Sequence, residues 1–321
     1  MISTDVSVII VNWNTRNILR DCLHSVYEQT QGIDFEVIVI DNASSDGSAQ
    51  MVKQEFPQVN LIENTENKGF AAANNQGMRI AQGRYFLLLN SDTVVLDGAI
   101  PKTIIFADQR PQAAVVGCKV LNPDRTLQPT CFMFPSQMNL FLAATYLYKL
   151  FPKSRFFGRE RMSWWDRSDV RQVDVVTGCF MLVRREAIEQ VGMMDEDYFM
   201  YAEETDWCFR FKKAGWANLF YPDVQIIHLG GQSSKQVRIS SLIQLRLGIL
   251  QFFYKNRSVP FYIISGLLIS IFFLFRIPAW FAVGLFKPSD HEVQNRLKAY
   301  CIAWVKTLKA TFVPQRENFK A

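Results

Sequence analysis

The decapeptide FLLLNSDTVV (Phe86–Val95) carries four apolar residues directly into Asn90, Ser91 and Asp92 before the chain becomes apolar again. A short apolar run bounded by polar residues is typical of a strand that is covered on both faces, as in a parallel sheet. Ligands of such sheets bind beyond the carboxyl ends of the strands. The stretch therefore predicts a buried strand with Asp92 at a ligand-binding edge, although Asn, Ser and Asp also favour ordinary turns.

The same rhythm continues on both sides of this stretch. Short apolar runs alternate with amphipathic stretches through the first 120 residues, which predicts βαβ units. The predicted fold class is therefore α/β, with a mostly parallel central sheet flanked by helices. Polar residues follow the apolar runs and are expected along one edge of the sheet: Asn12, Asp41, Asn42, Asn64 and Asn90.

The length of 321 residues predicts one large domain with an appendage. We place the domain at residues 1–232 and a C-terminal helical segment at residues 233–321. The six cysteines are scattered and form no CxxC pair, which argues against a zinc ribbon or a disulfide scaffold and favours reduced thiols in the cytosol.

The C-terminal segment is basic and strongly apolar. Residues 231–321 carry 13 Lys and Arg against 3 Asp and Glu, and residues 259–275 contain no charge. Basic residues on both sides favour an interfacial or re-entrant hairpin, turning near Arg276 and Pro278, over a single membrane crossing. A buried helical hairpin or an oligomer interface is the alternative. Nucleic acid is a third class of partner for a basic tail, but apolar residues between the charges favour lipid.

Phosphate-binding glycine motifs of the GxGxxG and GxxxxGK[ST] types do not occur, which argues against a dinucleotide oxidoreductase and a P-loop enzyme. Two later stretches carry candidate chemistry. In MDEDYFMYAEETDWCFRFKKAGW, the spacing places Glu203, Asp206 and Arg210 on one face of a helix that ends near Gly215. In NLFYPDVQIIHLGGQSS, a last strand is predicted to end at His228.

Six stretches, in order, resemble the inverting nucleotide-sugar glycosyltransferases of family 2, which have the GT-A fold. They are VSVIIVNWNTRNILRDCLHSV, VIVIDNASSDGS, NKGFAAANNQG, LLLNSD, MDEDYFMYAEETDWCFR and IIHLGGQSS. The last of these is similar to a histidine motif of the rhamnosyltransferase branch. The resemblance covers about residues 5–232 and implies a GT-A domain that transfers a sugar from a nucleoside diphosphate.

The resemblance implies a divalent metal, Mn²⁺ or Mg²⁺, with Asp92 as its carboxylate ligand and His228 as a second ligand. A hard cation suits this role because it prefers oxygen ligands and can bridge two phosphates. Asn90 departs from the longer family motif, which often has an acid at that position.

The donor nucleotide is expected beside Asp41, which would accept a hydrogen bond from the N3–H of uracil or thymine. Helix or turn capping is the alternative role of Asp41. Lys68 and Gly69 precede a helix N-terminus, which suits an anion. The full predicted substrate-binding set is Asn12, Asn14, Asp41, Lys68, Gly69, Asn74 and Asn90.

Inversion by direct displacement needs one general base to take the proton from the acceptor hydroxyl. The family places an acidic pair here, whose second member is usually Asp and acts as the base. In this chain the pair is Glu203 and Glu204, so the resemblance implies Glu204 as the base, with Glu203 or Asp206 as the alternative. A solvated helix face is the ordinary explanation for such a run of acids.

The predicted function is an inverting, metal-dependent hexosyltransferase at the cytoplasmic face of the cell membrane. It would move a sugar to a hydroxyl of a growing, lipid-linked, cell-surface glycan. The resemblance favours rhamnose from dTDP-rhamnose, followed by galactofuranose, galactose or glucose from a UDP donor. A second class is a non-catalytic sugar-nucleotide-binding homologue, because Asn90 and Glu204 depart from the family's usual acids.

Overall fold

The computed structural model describes residues 4–232 and 238–320. These residues form two compact units. The first unit contains the described residues up to Met133, Asp166–Phe199 and the residues from Glu203 to 232. The second contains Phe134–Trp165, Met200–Ala202 and the described residues from 238 onwards.

The strands lie in the first unit, and those found in the described part of the chain are β1 (Val6–Asn12), β2 (Phe35–Asp41), β3 (Asn60–Glu63), β4 (Tyr85–Asn90), β5 (Thr93–Val95), β6 (Ala113–Leu121), β7 (Arg171–Gln172), β8 (Phe180–Arg184) and β9 (Ala217–His228). They form one sheet in the order β3-β2-β1-β4-β8-β6-β9-β5, and β7 pairs with β9. The longer strands β1, β2, β4, β6 and β9 point the same way, as does β3, whereas β5, β7 and β8 are antiparallel to their neighbours. The predicted mostly parallel sheet is confirmed.

The helices with bounds in the described residues are α1 (Arg16–Gln29), α2 (Ser48–Glu55), α3 (Phe70–Ile80), α4 (Ala99–Asp108), α5 (Gln137–Ala144), α6 (Leu147–Leu150), α7 (Arg185–Val191), α8 (Glu203–Lys213), α9 (Arg238–Asn256), α10 (Val259–Phe286) and α11 (His291–Phe312). Helices α5, α6 and α9 to α11 belong to the second unit, and the others to the first. A 3-10 turn at Arg316–Phe319 follows α11.

The register of the sheet brings the predicted polar residues to one edge. Asn12 pairs with Asp41 across β1 and β2, and Val11 pairs with Asn90 across β1 and β4. Most residues before these positions are apolar and buried, as expected of strands that helices cover on both faces. The carboxyl ends of β1, β2 and β4 therefore meet at a common edge, as the sequence predicts.

Helix α8 confirms the predicted helical face. Glu203 and Asp206 are buried on it, and Arg210 lies one turn after Asp206. The helix closes through Gly215, whose φ of +92° is a left-handed conformation that glycine adopts without a steric cost. The N–H of Trp216 then donates to the carbonyl of Phe211 at 3.0 Å.

In the second unit, α10 runs without interruption through Arg276 and Pro278. The predicted hairpin turn at these residues is therefore wrong. Pro278 removes one backbone donor, which a helix tolerates when the rest of its length is packed. The guanidinium of Arg276 is buried and donates to the carbonyl oxygens of Ala143 and Ala144, which are orphan acceptors at the end of α5. A charged residue is thus satisfied inside the bundle without a break in α10.

Helix α10 has the length and composition of a membrane-crossing helix. It contains 28 residues, and its most apolar window has a mean hydropathy of 2.0 with 39% of that window buried. At about 1.5 Å per residue it is roughly 42 Å long, longer than a hydrocarbon core of about 30 Å. Large apolar side chains remain exposed along it, including Ile264, Leu267, Ile271 and Phe275.

The section between Phe134 and Trp165, which the sequence assigned to the first domain, packs within the second unit. Leu140 of α5 joins an apolar cluster with Leu247 of α9 and Phe273 of α10. An amphipathic helix must bury its apolar face against another element, and the long C-terminal helices provide that surface here.

Candidate active site

The first part of the site lies at the ends of β1 and β2. The amide of Asn12 donates to Asp41 Oδ1 at 3.0 Å and to Ser44 Oγ at 3.1 Å. The N–H of Ser44 donates to Asp41 Oδ2 at 2.9 Å. Asp41 Oδ1 therefore accepts from the end of β1 and Oδ2 from the loop after β2, and the turn-capping alternative for Asp41 is present. Each carboxylate oxygen can accept more than one hydrogen bond, so both also have lone pairs for a ligand.

Asn14 closes the same loop from the other side. Its φ of +52° is left-handed, a conformation that Asn adopts more readily than most residues. Its N–H donates to Ser44 Oγ at 2.9 Å, and its Oδ1 accepts from the N–H of Ser45 at 2.8 Å. The predicted neighbours Asn12, Asn14 and Asp41 are thus brought together around Ser44, a residue that sequence reasoning missed.

The second part lies before α3. Gly69 has a φ of +82°, and a Cβ on it would lie 2.2 Å from the carbonyl oxygen of Phe199. The next residue, Phe70, donates its N–H to that same oxygen at 2.7 Å. Only glycine permits this close approach. Asn42 supports the loop, because its Oδ1 accepts from the N–H of Lys68 and its amide donates to the Gly69 carbonyl.

Asn74, a further predicted substrate-binding residue, is buried inside α3. Its amide donates to the carbonyl oxygen of Phe70 one turn earlier at 2.9 Å.

Lys68 is exposed, and in the described part of the chain its ammonium group has no ion-pair partner. Within this region the cation at the start of α3 is the group most available to an anion.

The third part joins the end of β4 to the end of β9. His228 Nε2 lies 3.1 Å from Asp92 Oδ1 and 3.3 Å from the amide nitrogen of Asn90. The N–H of Gln232 donates to Asp92 Oδ2 at 3.2 Å, and the N–H of Leu229 donates to the Asp92 carbonyl at 2.9 Å. Both predicted metal ligands and Asn90 are therefore in one cluster.

The electrostatics of Asp92 favour its charged form. Burial raises its pKa, but the hydrogen bond and charge of His228 and the N–H of Gln232 lower it by more. The net result is a pKa below the usual value for Asp. A carboxylate that stays ionised in a buried place is suited to hold a cation.

His228 has a partner that sequence reasoning missed. Its Nδ1 lies 2.6 Å from Oε1 of Gln128, and the amide nitrogen of Gln128 donates to the His228 carbonyl at 3.1 Å. Gln128 follows a tight turn over residues 122–126 in a section that looks irregular from its prolines. The signal that was available is the turn sequence NPDRT directly after the apolar run of β6.

The head of α8 carries the predicted base. In the part of the chain that the structure describes, Glu204 Oε2 is buried with no hydrogen-bonding partner. Burial raises the pKa of Glu204 above the usual value for Glu. A carboxyl group whose pKa is raised by burial can take and release a proton closer to neutral pH than a free one.

The two residues before this helix have unusual backbone conformations. Tyr201 and Ala202 have φ values of +68° and +72°. Left-handed conformations at successive residues with side chains cost of order 1–2 kcal/mol each and are found where the surrounding structure enforces them. The sequence contains no glycine here that could have signalled this turn.

Asp206, an alternative base, is engaged differently. Its Oδ2 accepts from Nε of Arg210 at 2.8 Å, and only 3% of the residue is exposed. Arg210 also donates to the carbonyl oxygens of Val191 and Met193. The pair therefore ties α8 to the segment after α7, which is a structural arrangement.

Comparison with known proteins identifies the family of this chain. Residues 7–192 match the model of the family "Glycosyl transferase family 2". The chain belongs to glycosyl transferase family 2. The resemblance inferred from the sequence is thereby confirmed, and the protein is a glycosyltransferase of this family.

Curated relatives add detail about what the chain is similar to. It is 30% identical over 205 residues to the N-acetylglucosaminyl-diphospho-decaprenol L-rhamnosyltransferase of Mycobacterium tuberculosis, a match that covers 60% of this chain and 66% of the relative. It is 24% identical over 260 residues to a low-salt glycan biosynthesis hexosyltransferase of Haloferax volcanii, covering 79% of this chain and 76% of the relative. The match thus spans just under two thirds of the rhamnosyltransferase.

A solved structure shares the fold. The mannosyltransferase of Pyrobaculum calidifontis in complex with GDP-Man and Mn²⁺ superposes with a TM-score of 0.58 at 18% identity. The superposition covers 97% of this chain and 87% of that one. This family 2 chain therefore has the GT-A fold, as the sequence predicts.

The residues that would hold a divalent metal in this transferase are few. Across residues 4–232 and 238–320, no group of three or more His, Cys, Asp and Glu side chains surrounds a common point. Asp92 and His228 supply two ligand atoms 3.1 Å apart. Neighbouring ligands of an octahedral cation at about 2.1 Å lie roughly 3.0 Å from each other. The pair fits an ion whose remaining ligands come from phosphate and water.

The predicted site residues thus form three hydrogen-bonded groups: Asn12, Asn14 and Asp41 around Ser44; Lys68 and Gly69 with Asn42; Asn90, Asp92 and His228. No hydrogen bond or ion pair among the described residues links Glu204 to any of these groups. Asp206 belongs to the structural pair with Arg210.

Proposed function

We propose that this glycosyltransferase is an inverting, metal-dependent enzyme that transfers a hexose from a nucleoside diphosphate sugar to a hydroxyl of a lipid-linked glycan at the cytoplasmic face of the membrane. The first choice of donor is dTDP-rhamnose. The observation that carries the proposal is the convergence of Asp92 and His228 at the carboxyl edge of the sheet, where the hydrogen-bonded pair of Asn12 and Asp41 also lies. The rhamnosyltransferase relative supports the choice of sugar and of a lipid-linked acceptor.

The donor nucleotide would lie against the first group of residues. Asp41 would accept the N3–H of a thymine or uracil base, since its oxygens retain lone pairs beyond those used by Asn12 and Ser44. The Asn12 side chain holds Asp41 in place, so the base would meet a carboxylate that is already oriented. Lys68 would neutralise part of the diphosphate charge.

Asp92 and His228 would hold Mn²⁺ or Mg²⁺. When bound, the divalent cation supplies positive charge to the diphosphate as it leaves. Hydrogen bonds to Asp92 stabilise its ionised state, as its lowered pKa indicates. Asn90 adds no charge, but its amide can donate to a ribose hydroxyl or to water.

Glu204 would act as the general base. The acceptor hydroxyl attacks the anomeric carbon from the face opposite the leaving diphosphate, and its proton passes to the Glu204 carboxylate. The raised pKa makes Glu204 a stronger base than an ordinary Glu, and its buried Oε2 has an unused capacity to accept a hydrogen bond. Glu203, next to it in α8, is the alternative base.

The second unit would bind the membrane. Helix α10 exposes a row of apolar side chains, and residues 231–321 carry a strong excess of positive charge. Exposed apolar area together with basic residues is the combination that binds anionic bilayers. A membrane-bound enzyme would meet a lipid-linked acceptor at the surface where that acceptor resides.

A donor and acceptor panel tests the proposed function. Purified protein with Mn²⁺ would be given dTDP-rhamnose, UDP-galactose, UDP-galactofuranose or UDP-glucose, with a polyprenyl diphosphate N-acetylglucosamine acceptor in liposomes. We expect transfer from dTDP-rhamnose, dependence on the metal, and a product of inverted configuration. Transfer from one of the UDP-sugars, without transfer from dTDP-rhamnose, would make that UDP-sugar the donor instead. Binding of a donor without any transfer or release of sugar would favour the non-catalytic homologue.

A further inference from the structure

The imidazole of His228 is the last member of a chain of hydrogen bonds that begins in the turn after β6. This chain, here called the relay, connects Asp124, Thr126, Asn122, Gln128 and His228 in that order. The donor and acceptor atoms of each hydrogen bond in the relay lie between 2.6 and 2.9 Å apart. Because amides have distinct donor and acceptor ends, the direction of every step can be worked out from its neighbours.

The orientation of the Gln128 amide is fixed by a backbone group. One of its two terminal atoms lies 3.1 Å from the carbonyl oxygen of His228, which can only accept. The amide nitrogen must therefore occupy that position, and it also donates to Asn122 Oδ1 at 2.9 Å. The other terminal atom, Oε1, then faces Nδ1 of His228 at 2.6 Å.

The far end of the relay gives the same direction. The carboxylate of Asp124 accepts the hydroxyl proton of Thr126 at 2.6 Å. The Thr126 oxygen is then left to accept, which it does from the Asn122 amide nitrogen at 2.9 Å. The Asn122 oxygen consequently points to Gln128. Two independent starting points, a carboxylate and a backbone carbonyl, thus agree.

The relay determines which nitrogen of His228 carries a proton. An amide oxygen at 2.6 Å requires a proton on Nδ1, because two facing lone pairs would repel each other. The remaining ring nitrogen, Nε2, faces Asp92 Oδ1 at 3.1 Å, and the amide nitrogen of Asn90 lies within 3.3 Å. Without a cation this contact needs a proton on Nε2, because two facing lone pairs would repel each other here too, and a cation bound between Nε2 and Oδ1 would take the place of that proton.

We propose that Gln128 is a positioning residue that holds His228 in the Nδ1–H tautomer, so that Nε2 and Asp92 present two lone pairs to one divalent cation. The inference rests on the proposed metal role of Asp92 and His228. Gln128 also holds the backbone of the same histidine through its carbonyl, so both the ring and its attachment are fixed. Partners that orient a ligating histidine in this way are typically worth 10- to 100-fold in metal affinity.

A purely structural role for Gln128 makes a different prediction. If the side chain only fills space in the turn, Gln128→Met should be tolerated as well as Gln128→Glu or better, because Met has a similar length and no charge. If the acceptor oxygen matters, Gln128→Glu should keep Nδ1 protonated, since a carboxylate also accepts from it, although Glu cannot donate to Asn122 Oδ1 or to the His228 carbonyl. Gln128→Met should not, because it has no oxygen to offer.

The test uses the full-length protein and Mn²⁺ alone, without donor or acceptor. Mn²⁺ binding would be measured by electron paramagnetic resonance for the wild type, Gln128→Met, Gln128→Glu and the exposed control Gln112→Met. The tautomer of His228 would be read from ¹⁵N NMR of the imidazole, assigned by comparison with His228→Gln. We expect Mn²⁺ affinity to fall about 10- to 100-fold in Gln128→Met, by less than that in Gln128→Glu, and by less than about threefold in the control.

The NMR spectrum separates the failure of this inference from the failure of the metal assignment. Absence of Mn²⁺ binding by the wild type would overturn the metal role, while an Nδ1–H signal lost in Gln128→Met would still support the relay. Wild-type affinity in Gln128→Met together with an unchanged tautomer would overturn the inference. If Gln128→Met does not fold, Thr126→Val at an exposed position breaks the relay further away. A weakened Nδ1–H signal in that variant supports the relay, and an unchanged one contradicts it.

Discussion

Asp92 and Glu204 are acids of the same unit with opposite surroundings. The Asp92 oxygens meet donors from His228 and Gln232, and its pKa lies below the usual value for Asp despite burial. Oε2 of Glu204 meets no donor in the described residues, and burial raises its pKa. Two acids whose environments move their pKa values apart are suited to different tasks. The difference suits the proposed roles, a charged metal ligand at Asp92 and a proton acceptor at Glu204.

The largest effect is expected from Glu204→Gln. The substitution keeps the size of the side chain and removes the proton acceptor, so kcat should fall by about 10²- to 10⁴-fold. Donor affinity should stay within a few-fold, because the donor groups lie elsewhere. Steady-state kinetics and donor-binding calorimetry on the same preparation would measure both.

Glu203→Gln is the matched control for this experiment, since it changes the neighbouring acid of the same helix. Turnover close to that of the wild type is expected for it. Near-normal turnover in Glu204→Gln, combined with a large loss of turnover in Glu203→Gln, would show that Glu203 is the base. Glu204 would then have no role as a proton acceptor.

The next largest effect is expected from Asp92→Asn. This change removes the negative charge that balances a divalent cation, so turnover should fall by about 10²- to 10³-fold, the size typical of a lost electrostatic contact to the transition state. Unlike Glu204→Gln, it should also abolish Mn²⁺ binding, which can be followed by electron paramagnetic resonance. Full activity of Asp92→Asn in the presence of a chelator would show that turnover needs no divalent metal.

A smaller effect, and of another kind, is expected from Asp206→Asn. The Arg210 guanidinium would lose a charged partner at 2.8 Å, and the unfolding free energy should fall by about 2 kcal/mol. Turnover per folded molecule should change by only a few-fold, because this carboxylate is committed to Arg210. Urea unfolding and kinetics at low temperature would separate the two quantities. A loss of turnover as large as that of Glu204→Gln would make Asp206 the base.

The smallest effect concerns stability and pH. The folded pKa of Glu204 is above its unfolded value, so wild-type protein loses stability as pH rises from the ordinary Glu pKa of about 4.3 through the raised folded pKa. Glu204→Gln does not ionise and should therefore be more stable than the wild type at neutral pH. The advantage should vanish at or below about pH 4. Calorimetry would measure the Tm of both proteins at neutral pH and at about pH 4. The same Tm difference between wild type and Glu204→Gln at both pH values would contradict the prediction.

Much of the fold and of the site edge follows from the sequence by local rules. The strands end at Asn12, Asp41 and Asn90 because each apolar run stops there, and parallel strands bring such ends together. The face shared by Glu203, Asp206 and Arg210 follows from the helical repeat alone. These inferences depend on residues close in sequence or on the general geometry of parallel sheets.

The remaining features depend on contacts between residues far apart in the chain. Gln128 orients His228 across 100 positions, and no periodicity connects them. The left-handed turn at Tyr201 and Ala202 uses residue types that rarely adopt it, so composition gives no sign of it. The course of α10 through Arg276 depends on the end of α5, which supplies carbonyl acceptors to the guanidinium.

The central claim is the division of tasks between the two acids, and carboxyl ¹³C NMR tests it most directly. Side-chain carboxyl carbons of Asp and Glu would be labelled and titrated in metal-free protein, with Asp92→Asn and Glu204→Gln used to assign the two signals. The account predicts that Glu204 titrates above the ordinary value of about 4.3 and that Asp92 titrates below about 3.9. A Glu204 signal at or below the ordinary value, with Asp92 above its own, would contradict the account.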